Sequence, residues 1–314
     1  MMSYVPETLP RHDRLEKSCA FLHLPLLLPV RLSRRAIAVS CEQQEGKWSP
    51  LQRFCIRGQA LLVKRDDLLV GLPRVSGNKL RKLHQLMCSD DAHPVISLGG
   101  AQGNTMAALA AICEKQGRKF TYITRTLPDH LRSNPCGNLR FALERGMILR
   151  EVPLHEFRQI DVAKTEGADG AHVVPLGASY AGAEAGVAAL AHELIEQLKN
   201  FETTGPWTVA VASGTGTMAL FMERHLRLLK ANIHVLAVPV VGDADYLTDQ
   251  MAQLDRLTGN YGRLPMVLSP KEKRPFAKER AELLQLWQEM RRSGLELDLI
   301  YGARAWEILL DDTS

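Results

Sequence analysis

The chain has 314 residues, of which 46% are hydrophobic and 24% charged, with a formal net charge of +4. This length predicts one large or two modest domains, and this composition excludes a disordered, collagenous or coiled-coil protein. The charge is too small and too scattered for the basic stripe typical of nucleic-acid binding. The six cysteines form neither a C-x-x-C pair nor a zinc-ligand spacing with histidine, so we expect no metal and small core cysteines in a reducing compartment.

Residues 1–47 are predicted to form an N-terminal extension. Their longest apolar stretch, 20–30, is interrupted by two prolines and a histidine, and it is shorter than the roughly 20 residues that a membrane helix needs. No membrane association is therefore expected. Segment 18–41 contains three arginines and no acidic residue, which leaves three interpretations open. It could be an organelle-targeting segment, a poorly ordered tail of a cytoplasmic protein, or the product of a start codon assigned too early.

From residue 49 onward, short apolar runs alternate with amphipathic stretches. In the first part of the chain they predict helices over 78–88 and 104–116 and strands at 61–64, 95–98, 120–124, 147–152 and 172–174. A turn at 134–137 precedes a further helix that ends near Gly146. The rest of the chain predicts helices over 181–199, 216–229, 246–257 and 277–292 and strands at 207–212, 233–238, 266–268 and 298–300.

Strands and helices that alternate in this way predict an α/β fold with parallel sheets covered by helices on both faces. We expect two lobes. The large cofactor-binding domain would comprise 48–88 and 190–314, and the small domain 89–189.

Two glycine-rich turns follow predicted strands, at the carboxyl ends where open α/β sheets bind ligands. The first is SLGGAQGN (97–104) and the second is SGTGT (213–217). The second combines flexible glycines, hydroxyls and a helix amino terminus, which together suit an anion. It also matches the dinucleotide fingerprint G-x-G-x-x-A, but position 234, where an acidic residue is expected, is His234. A nucleotide-dependent oxidoreductase and a turn with a packing role only stay open as alternatives.

Lys79 lies in a third motif, SGNKLRKL (76–83). A lysine one residue into a helix, just after a glycine, is partly desolvated and close to the helix dipole, and both effects lower its pKa as a Schiff-base lysine requires. Arg81 and Lys82 add positive charge that suits a phosphate. Taken alone, the motif also fits a solvated basic helix face.

Four motifs occur in a fixed order: KRDDL (64–68), GNKLRK (77–82), GGAQGN (99–104) and SGTGT (213–217). In this combination the chain resembles the pyridoxal-phosphate-dependent aminocyclopropane-carboxylate deaminase and D-cysteine desulfhydrase family, of the tryptophan-synthase-β fold type (fold type II). The late segment DLIY (298–301) resembles the family segment that reaches the cofactor ring. The resemblance runs from about Trp48 to Leu310.

The resemblance implies pyridoxal 5'-phosphate as cofactor, with Lys79 as the lysine that attaches it and then acts as base. Tyr301 would lie against the pyridine ring and take part in catalysis, and Asn104 would bond the phenolic oxygen. The resemblance also implies binding residues for the phosphate and for the substrate carboxylate. The phosphate residues would be Ser213, Gly214, Thr215, Gly216 and Thr217, with Lys82 as counter-charge, and the substrate residues would be Gly103, Asn104 and Thr105.

Three features depart from the family pattern. Family deaminases carry a serine at the position of Gly103, and relatives carry a carboxylate or hydroxyl at that of Gly302, where it contacts the pyridine nitrogen. Relatives also continue past Leu310 with a strand and a glycine-rich loop, so a truncated C-terminus is an expectation here. We therefore expect a lyase or deaminase that acts on a small amino acid by loss of the α-proton and β-elimination. D-cysteine-like substrates are expected ahead of aminocyclopropane carboxylate. The resemblance also implies a homodimer. A catalytically impaired relative is the alternative.

Overall fold

Two sheets flanked by helices form the architecture, in a computed structural model that describes residues 19–22, 48–69, 71–201, 206–272 and 274–312. The strands are β1 (Cys19–Leu22), β2 (Leu51–Ile56), β3 (Gln59–Lys64), β4 (Val95–Leu98), β5 (Phe120–Arg125), β6 (Ile148–Val152), β7 (His172–Val174), β8 (Trp207–Ser213), β9 (Ile233–Pro239) and β10 (Met266–Val267). One sheet has the order β10-β9-β8-β1-β3-β2 and the other β6-β5-β4-β7. All neighbours are parallel except β2 and β3, so the predicted α/β fold is confirmed.

The helices lie between and beside these strands. They are α1 (Gly77–Lys82), α2 (His84–Met87), α3 (Asn104–Gln116), α4 (Asp129–Ser133), α5 (Gly137–Leu143), α6 (Leu154–Phe157), α7 (Glu184–Leu198), α8 (Thr217–Leu228), α9 (Ala244–Leu257), α10 (Ala281–Arg292) and α11 (Gly302–Asp312). Among the described residues, none of these helices combines the length and apolarity needed to span a membrane.

The core of the larger sheet is built on both faces of β8. Val209 and Val211 pack with α7 and α8, whereas Ala210 packs with α10 and α11 on the other face. Since successive side chains of a strand point to opposite faces, a strand covered on both faces becomes an almost continuous apolar run. This is why β8 and β9 were predictable from the sequence.

β1 holds the larger sheet together. Its backbone pairs in parallel with β3 on one side and with β8 on the other, in registers that align Ala20 with Leu62 and with Val209. Residues 19–22 belong to the predicted N-terminal extension, and the structure places them inside this sheet. The rest of the extension, and with it the targeting interpretation, lies outside the described residues.

The two sheets divide the chain much as the predicted lobes do. The strands of the smaller sheet all fall within 89–189, and those of the larger sheet fall outside it. Val75, Leu83 and Leu86, however, pack in the core of the smaller sheet with α3 and α5. The segment that carries α1 and α2 therefore bridges the two units, and the domain boundaries stay a prediction.

Two predicted elements differ from the structure. The predicted strand at 298–300 is wrong: the segment is a turn that leads into α11, because the Asp298 carboxylate accepts hydrogen bonds from the backbone N–H groups of Ile300, Tyr301 and Gly302. An aspartate that collects N–H groups in this way favours a turn over a strand. The predicted helix over 78–88 splits into α1 and α2 at the buried Leu83, whose backbone leaves the helical region with φ −102° and ψ 7°.

The prediction of core cysteines holds for only one of the thiols whose surroundings are described. Cys113 is buried in α3, whereas Cys88 is partly exposed and Cys55 and Cys136 are exposed. Cys55 lies on β2, which among the described strands pairs with β3 alone, and it points to the same exposed face as Arg53, two residues earlier.

Candidate active site

Lys79 lies on α1, with its amine desolvated by the surrounding protein. This burial lowers the pKa of Lys79 to about 8, an effect that the nearby Asp298 carboxylate partly offsets. The Nζ atom donates a hydrogen bond to Asn78 Oδ1 at 3.3 Å. Because the neutral amine is the nucleophilic form, a lysine with this pKa is able to attack a carbonyl near neutral pH. The solvated-face interpretation of this helix is therefore wrong for Lys79.

Lys82 lies one turn further along α1 and is almost completely buried. Its Nζ atom donates to the carbonyl oxygen of Gly177, in the turn after β7. Burial, together with the positive charge of Lys79, lowers the pKa of Lys82 well below its usual value. Gly177 in turn packs on the turn after β8, since a Cβ atom on it would lie 3.0 Å from Cγ2 of Thr215. Lys82 thus bonds Gly177, and Gly177 contacts the 213–217 turn.

Three hydroxyls line the space between the turns after β7 and β8. Thr215 Oγ1 and Thr217 Oγ1 are 2.9 Å apart, and Thr217 Oγ1 donates to Ser179 Oγ at 2.9 Å. Thr217 opens α8, and the first backbone N–H groups of a helix have no partner within the helix. A helix terminus with free donors, next to hydroxyls and a buried lysine, can hold an anion such as a phosphate.

The backbone of the 213–217 turn requires its glycines. Gly216 adopts φ +69°, and a Cβ atom there would lie 2.2 Å from Cγ of Met251. Gly214 lies under Tyr301, with only 3.4 Å between a Cβ atom built on the glycine and Cε1 of the ring. Ser213 behaves differently from its neighbours, because its hydroxyl donates to its own strand at the carbonyl of Val211, 2.9 Å away. The serine therefore does not point a donor at the turn.

Tyr301 lies at the amino end of α11 beside this turn. Its ring packs edge-on against Phe276, with ring centroids 5.4 Å apart, and burial is the main cause that raises the pKa of its phenol, followed by the Asp298 charge. Asp298 also interacts with Lys79, so the late segment faces α1. Tyr246, Arg274 and Pro275 help to line an adjoining open cleft of about 430 Å³.

The loop between β4 and α3 carries the predicted substrate residues. Asn104, the first residue of α3, accepts a hydrogen bond at Oδ1 from Asn138 Nδ2 at 2.9 Å, and Gln102 Oε1 accepts one from the Asn138 backbone at 2.9 Å. These bonds anchor the loop to the first turn of α5. Gly103 precedes the helix, and Thr105 is buried within its first turn.

Tyr122 on β5 is a residue at this loop that the sequence analysis missed. Its buried hydroxyl donates to the Gly100 carbonyl at 3.2 Å. A Cβ atom on Gly99 would lie 2.3 Å from this hydroxyl oxygen, and one on Gly103 would lie 3.1 Å from it. The glycines of the loop thus make room for the phenol. The sequence offers no motif that marks this tyrosine: it lies in the predicted strand 120–124, which also carries two threonines.

Arg81, two residues after Lys79, does not have its predicted role of adding positive charge for a phosphate. The Arg81 guanidinium does not face the 213–217 turn as a counter-charge for phosphate but bonds Asp66 Oδ1 at 2.9 Å and Glu193 Oε2 at 3.1 Å. Lys64 also pairs with Glu193, and burial lowers the pKa of Lys64 to about 8 despite that partner. We call Lys64, Asp66, Arg81 and Glu193 the buried ion cluster.

The buried ion cluster fixes α1 against α7 and the end of β3. Gly186 on α7 permits this approach, since a Cβ atom there would lie 1.9 Å from the carbonyl oxygen of Arg81. Asp66 and Glu193 are buried carboxylates, and burial of a carboxylate charge costs free energy unless a cation pairs with it. The two cations of the cluster supply this pairing. The KRDDL and GNKLRK motifs therefore meet in space, as parts of one support for Lys79.

The structure brings Lys79, Lys82, Gly214, Thr215, Thr217 and Tyr301 together around the ends of β7 and β8. Asn104 lies on the neighbouring loop and bonds Asn138. The roles assigned to all these residues stay predictions. Ser179 and Gly177 join the set as residues that sequence reasoning missed. Asp298 joins it from the DLIY segment, in which the sequence analysis assigned a role to Tyr301 alone.

Comparisons with known proteins show which solved structures the fold of the chain is similar to. No protein-family model matches the chain, and no curated protein matches its sequence. An ACC deaminase homologue shares its fold with a TM-score of 0.63 at 21% identity, over 84% of each chain. A threonine deaminase from T.th. (TM-score 0.55, 14% identity, 83% of this chain and 85% of that one) and serine racemase from Dictyostelium discoideum (0.54, 14%, 82% and 85%) share it as well. The chain thus has the α/β fold of these amino-acid enzymes, and the predicted fold type II is confirmed.

Removal of the central cation should show how much the buried ion cluster stabilises the fold. We expect Arg81→Gln to lower the free energy of unfolding by about 3–5 kcal/mol, because Asp66 and Glu193 would then share Lys64 alone. Urea unfolding followed by circular dichroism measures this. Arg140→Gln, which breaks an exposed pair with Glu144 on α5, is the matched control and should leave the urea midpoint unchanged. Equal midpoints for the two variants would contradict a supporting role of the cluster.

Proposed function

We propose that the chain is a pyridoxal-phosphate-dependent lyase or deaminase that acts on a small amino acid. The observation that carries the proposal is the placement of Lys79. A lysine with its pKa lowered to about 8 lies one turn from the buried Lys82, which approaches the 213–217 turn through Gly177. The fold neighbours add support, because they include deaminases and a racemase by name, and fold type II is a fold of pyridoxal-phosphate enzymes.

The residues at the 213–217 turn fit the phosphate of this cofactor. Gly216 leaves no room for a side chain, Thr215 and Thr217 offer hydroxyls, and α8 presents its amino terminus. Lys82 is buried with its pKa depressed, and a phosphate in the turn would supply the opposite charge that favours the protonated amine. Tyr301, which lies against Gly214, would contact one side of the pyridine ring of the cofactor.

When bound, pyridoxal phosphate supplies an electron sink that acidifies the α-carbon proton of an amino acid. Lys79 would attach the cofactor through Nζ and, once released, accept that proton, since its lowered pKa keeps much of the amine neutral near pH 8. The loop 103–105 would bind the substrate carboxylate. Asp298 orders the turn that carries Tyr301 by accepting three backbone N–H groups. A homodimer in the cytoplasm is part of the proposal.

The loop geometry favours a D-cysteine-like substrate over aminocyclopropane carboxylate. Where family deaminases carry a serine, Gly103 has its Cα hydrogen directed at the Tyr122 hydroxyl, and a Cβ atom would lie 3.1 Å from both that hydroxyl and the Gly100 carbonyl. A serine at this position would therefore displace the phenol. The ring-opening hydroxyl of the deaminases has no counterpart at Gly103.

A second candidate is a relative with impaired catalysis. Gly302 begins α11, and its backbone N–H donates to Asp298 Oδ2 at 3.0 Å. A glycine brings no carboxylate or hydroxyl to the pyridine nitrogen, and a nitrogen without such a partner weakens the electron sink.

Cofactor attachment should depend on Lys79. Protein supplied with pyridoxal phosphate should show a band at roughly 410–430 nm, the region where such cofactor–lysine adducts absorb, which borohydride abolishes. Peptide mapping should place the reduced label on Lys79, and Lys79→Ala should show neither band nor label. Lys115→Ala, which alters an α3 lysine, is the control and should keep both. A persistent label in Lys79→Ala would refute the assignment.

The rate of attachment should report the lowered pKa of Lys79. A pKa of about 8 predicts that the initial rate rises about tenfold from pH 7 to pH 9 and then levels off, because the amine is then almost wholly neutral. Stopped-flow absorbance measures the rate. The rate for Nα-acetyl-lysine, divided at each pH by the neutral fraction of that free amine, supplies the correction for the titration of the cofactor itself. A rate that keeps rising above pH 9 would indicate an ordinary, solvated lysine.

Keto-acid release from a panel of amino acids separates the two candidate functions. We expect release of the β-substituent (sulfide from D-cysteine), ammonia and keto acid from D-cysteine or a similar β-substituted amino acid, and no release of keto acid from aminocyclopropane carboxylate. The Lys79→Ala variant should release none from any substrate. If the protein binds the cofactor at Lys79 but converts no amino acid of the panel, the second candidate, a relative with impaired catalysis, is correct.

A further inference from the structure

Asp91, His93 and His172 meet at the edge of the smaller sheet that lies away from the candidate active site. Asp91 and His93 belong to the loop before β4, and His172 is the first residue of β7. These strands are parallel neighbours, with Val95 aligned with His172. The cluster therefore lies where the strands begin, whereas the loop 99–104 and the turn at Gly177 lie where they end.

The Asp91 carboxylate lies between the two imidazoles. Its Oδ1 atom bonds His93 Nδ1, and its Oδ2 atom bonds His172 Nε2. The rings are 6.1 Å apart at an interplanar angle of 77°, and one ligand atom from each of the three residues lies within 4.8 Å of the others. A tetrahedral zinc ion with bonds of about 2.0–2.1 Å needs ligand atoms about 3.3–3.5 Å apart. Small rotations of these accessible side chains would achieve this.

The main chain holds the residues of this cluster in place. The His93 N–H donates to Asp91 Oδ1 at 2.8 Å, and the His172 N–H donates to the Pro94 carbonyl at 2.8 Å. Arg118 Nε donates to the His93 carbonyl at 2.7 Å. Because the loop is already bonded to β7 and to Arg118, little backbone ordering would accompany the binding of a ligand.

We propose that Asp91, His93 and His172 form a binding site for a divalent transition metal, with Zn²⁺ as the ion it suits best. Two neutral imidazoles and one carboxylate give the site one negative charge and the nitrogen–oxygen donor set that zinc prefers, whereas Mg²⁺ and Ca²⁺ prefer oxygen alone. His93 is 64% exposed, so an ion has an entry path and water can complete its coordination.

The ion would take the place of the hydrogens that now link Asp91 to the two rings. Each neutral imidazole would bind through its unprotonated nitrogen and carry its proton on the other one. The bound ion would tie the loop before β4 to β7. Its effect would be on the stability of the smaller sheet, since the cluster lies at the opposite ends of the strands from the turn that Lys82 bonds. The proposal is independent of the function proposed above.

Calorimetric titration of the full chain with ZnCl₂, after treatment with EDTA, tests the proposal. We expect saturable binding of one equivalent and a higher melting temperature with zinc, and no binding of MgCl₂. His93→Ala and His172→Ala should each weaken zinc binding at least about tenfold. His93 is a surface residue, so His93→Ala without zinc should melt at the temperature of the metal-free parent.

Two control variants exclude other zinc ligands. His155→Ala removes an exposed histidine of α6, and Cys88→Ser removes a thiol 3.8 Å from His84 Nε2, and both should keep the affinity of the parent. Co²⁺ should give visible absorption bands with the parent and lose them in His93→Ala. Absence of saturable zinc binding, unchanged affinity in His93→Ala, or loss of affinity in Cys88→Ser would each overturn the proposal. Lys79→Ala should bind zinc like the parent, so failure of the enzyme proposal would not affect this result.

Discussion

The pairing of Arg81 with Asp66 and Glu193 is the constraint on which the candidate site depends. Two carboxylates that are buried in the fold require cations within hydrogen-bond distance, and Arg81 and Lys64 supply them. Arg81 lies on α1, so satisfying these charges also fixes the helix that carries Lys79. The Lys79 amine, whose desolvation lowers its pKa, therefore lies on a helix that this pairing holds in place.

The anion-binding features depend on how the two sheets meet. β7 ends in the turn at Gly177 and β8 ends in the 213–217 turn, and the contact between Gly177 and Thr215 joins them. Lys82 completes the arrangement from α1, which bridges the two units. No single sheet holds all of these groups. The site is thus a property of the junction, which is where ligands bind in many two-unit α/β proteins.

The glycines at the site each make room for a different neighbouring group. Gly216 avoids Met251, and its positive φ suits the entry to α8, whereas Gly99 and Gly103 leave room for the Tyr122 phenol. In each place the glycine allows a larger group to approach the backbone closely. The same rule explains Gly186, which lets α7 pack on the carbonyl of Arg81. A glycine-rich sequence motif therefore indicates that some group must approach the backbone closely, but it does not identify that group.

The sequence by itself determined most of the elements and their type, because hydrophobic periodicity and turn residues act locally: β4 and α3 have the predicted bounds. It also placed Lys79 and the 213–217 turn at strand or helix ends. Only the tertiary structure decided which distant groups meet. Arg81 faces carboxylates, the Tyr122 phenol lies under Gly99, and β1 enters the larger sheet. The segment 298–300 turns because Asp298 bonds three backbone N–H groups, a choice that its apolar neighbours do not reveal.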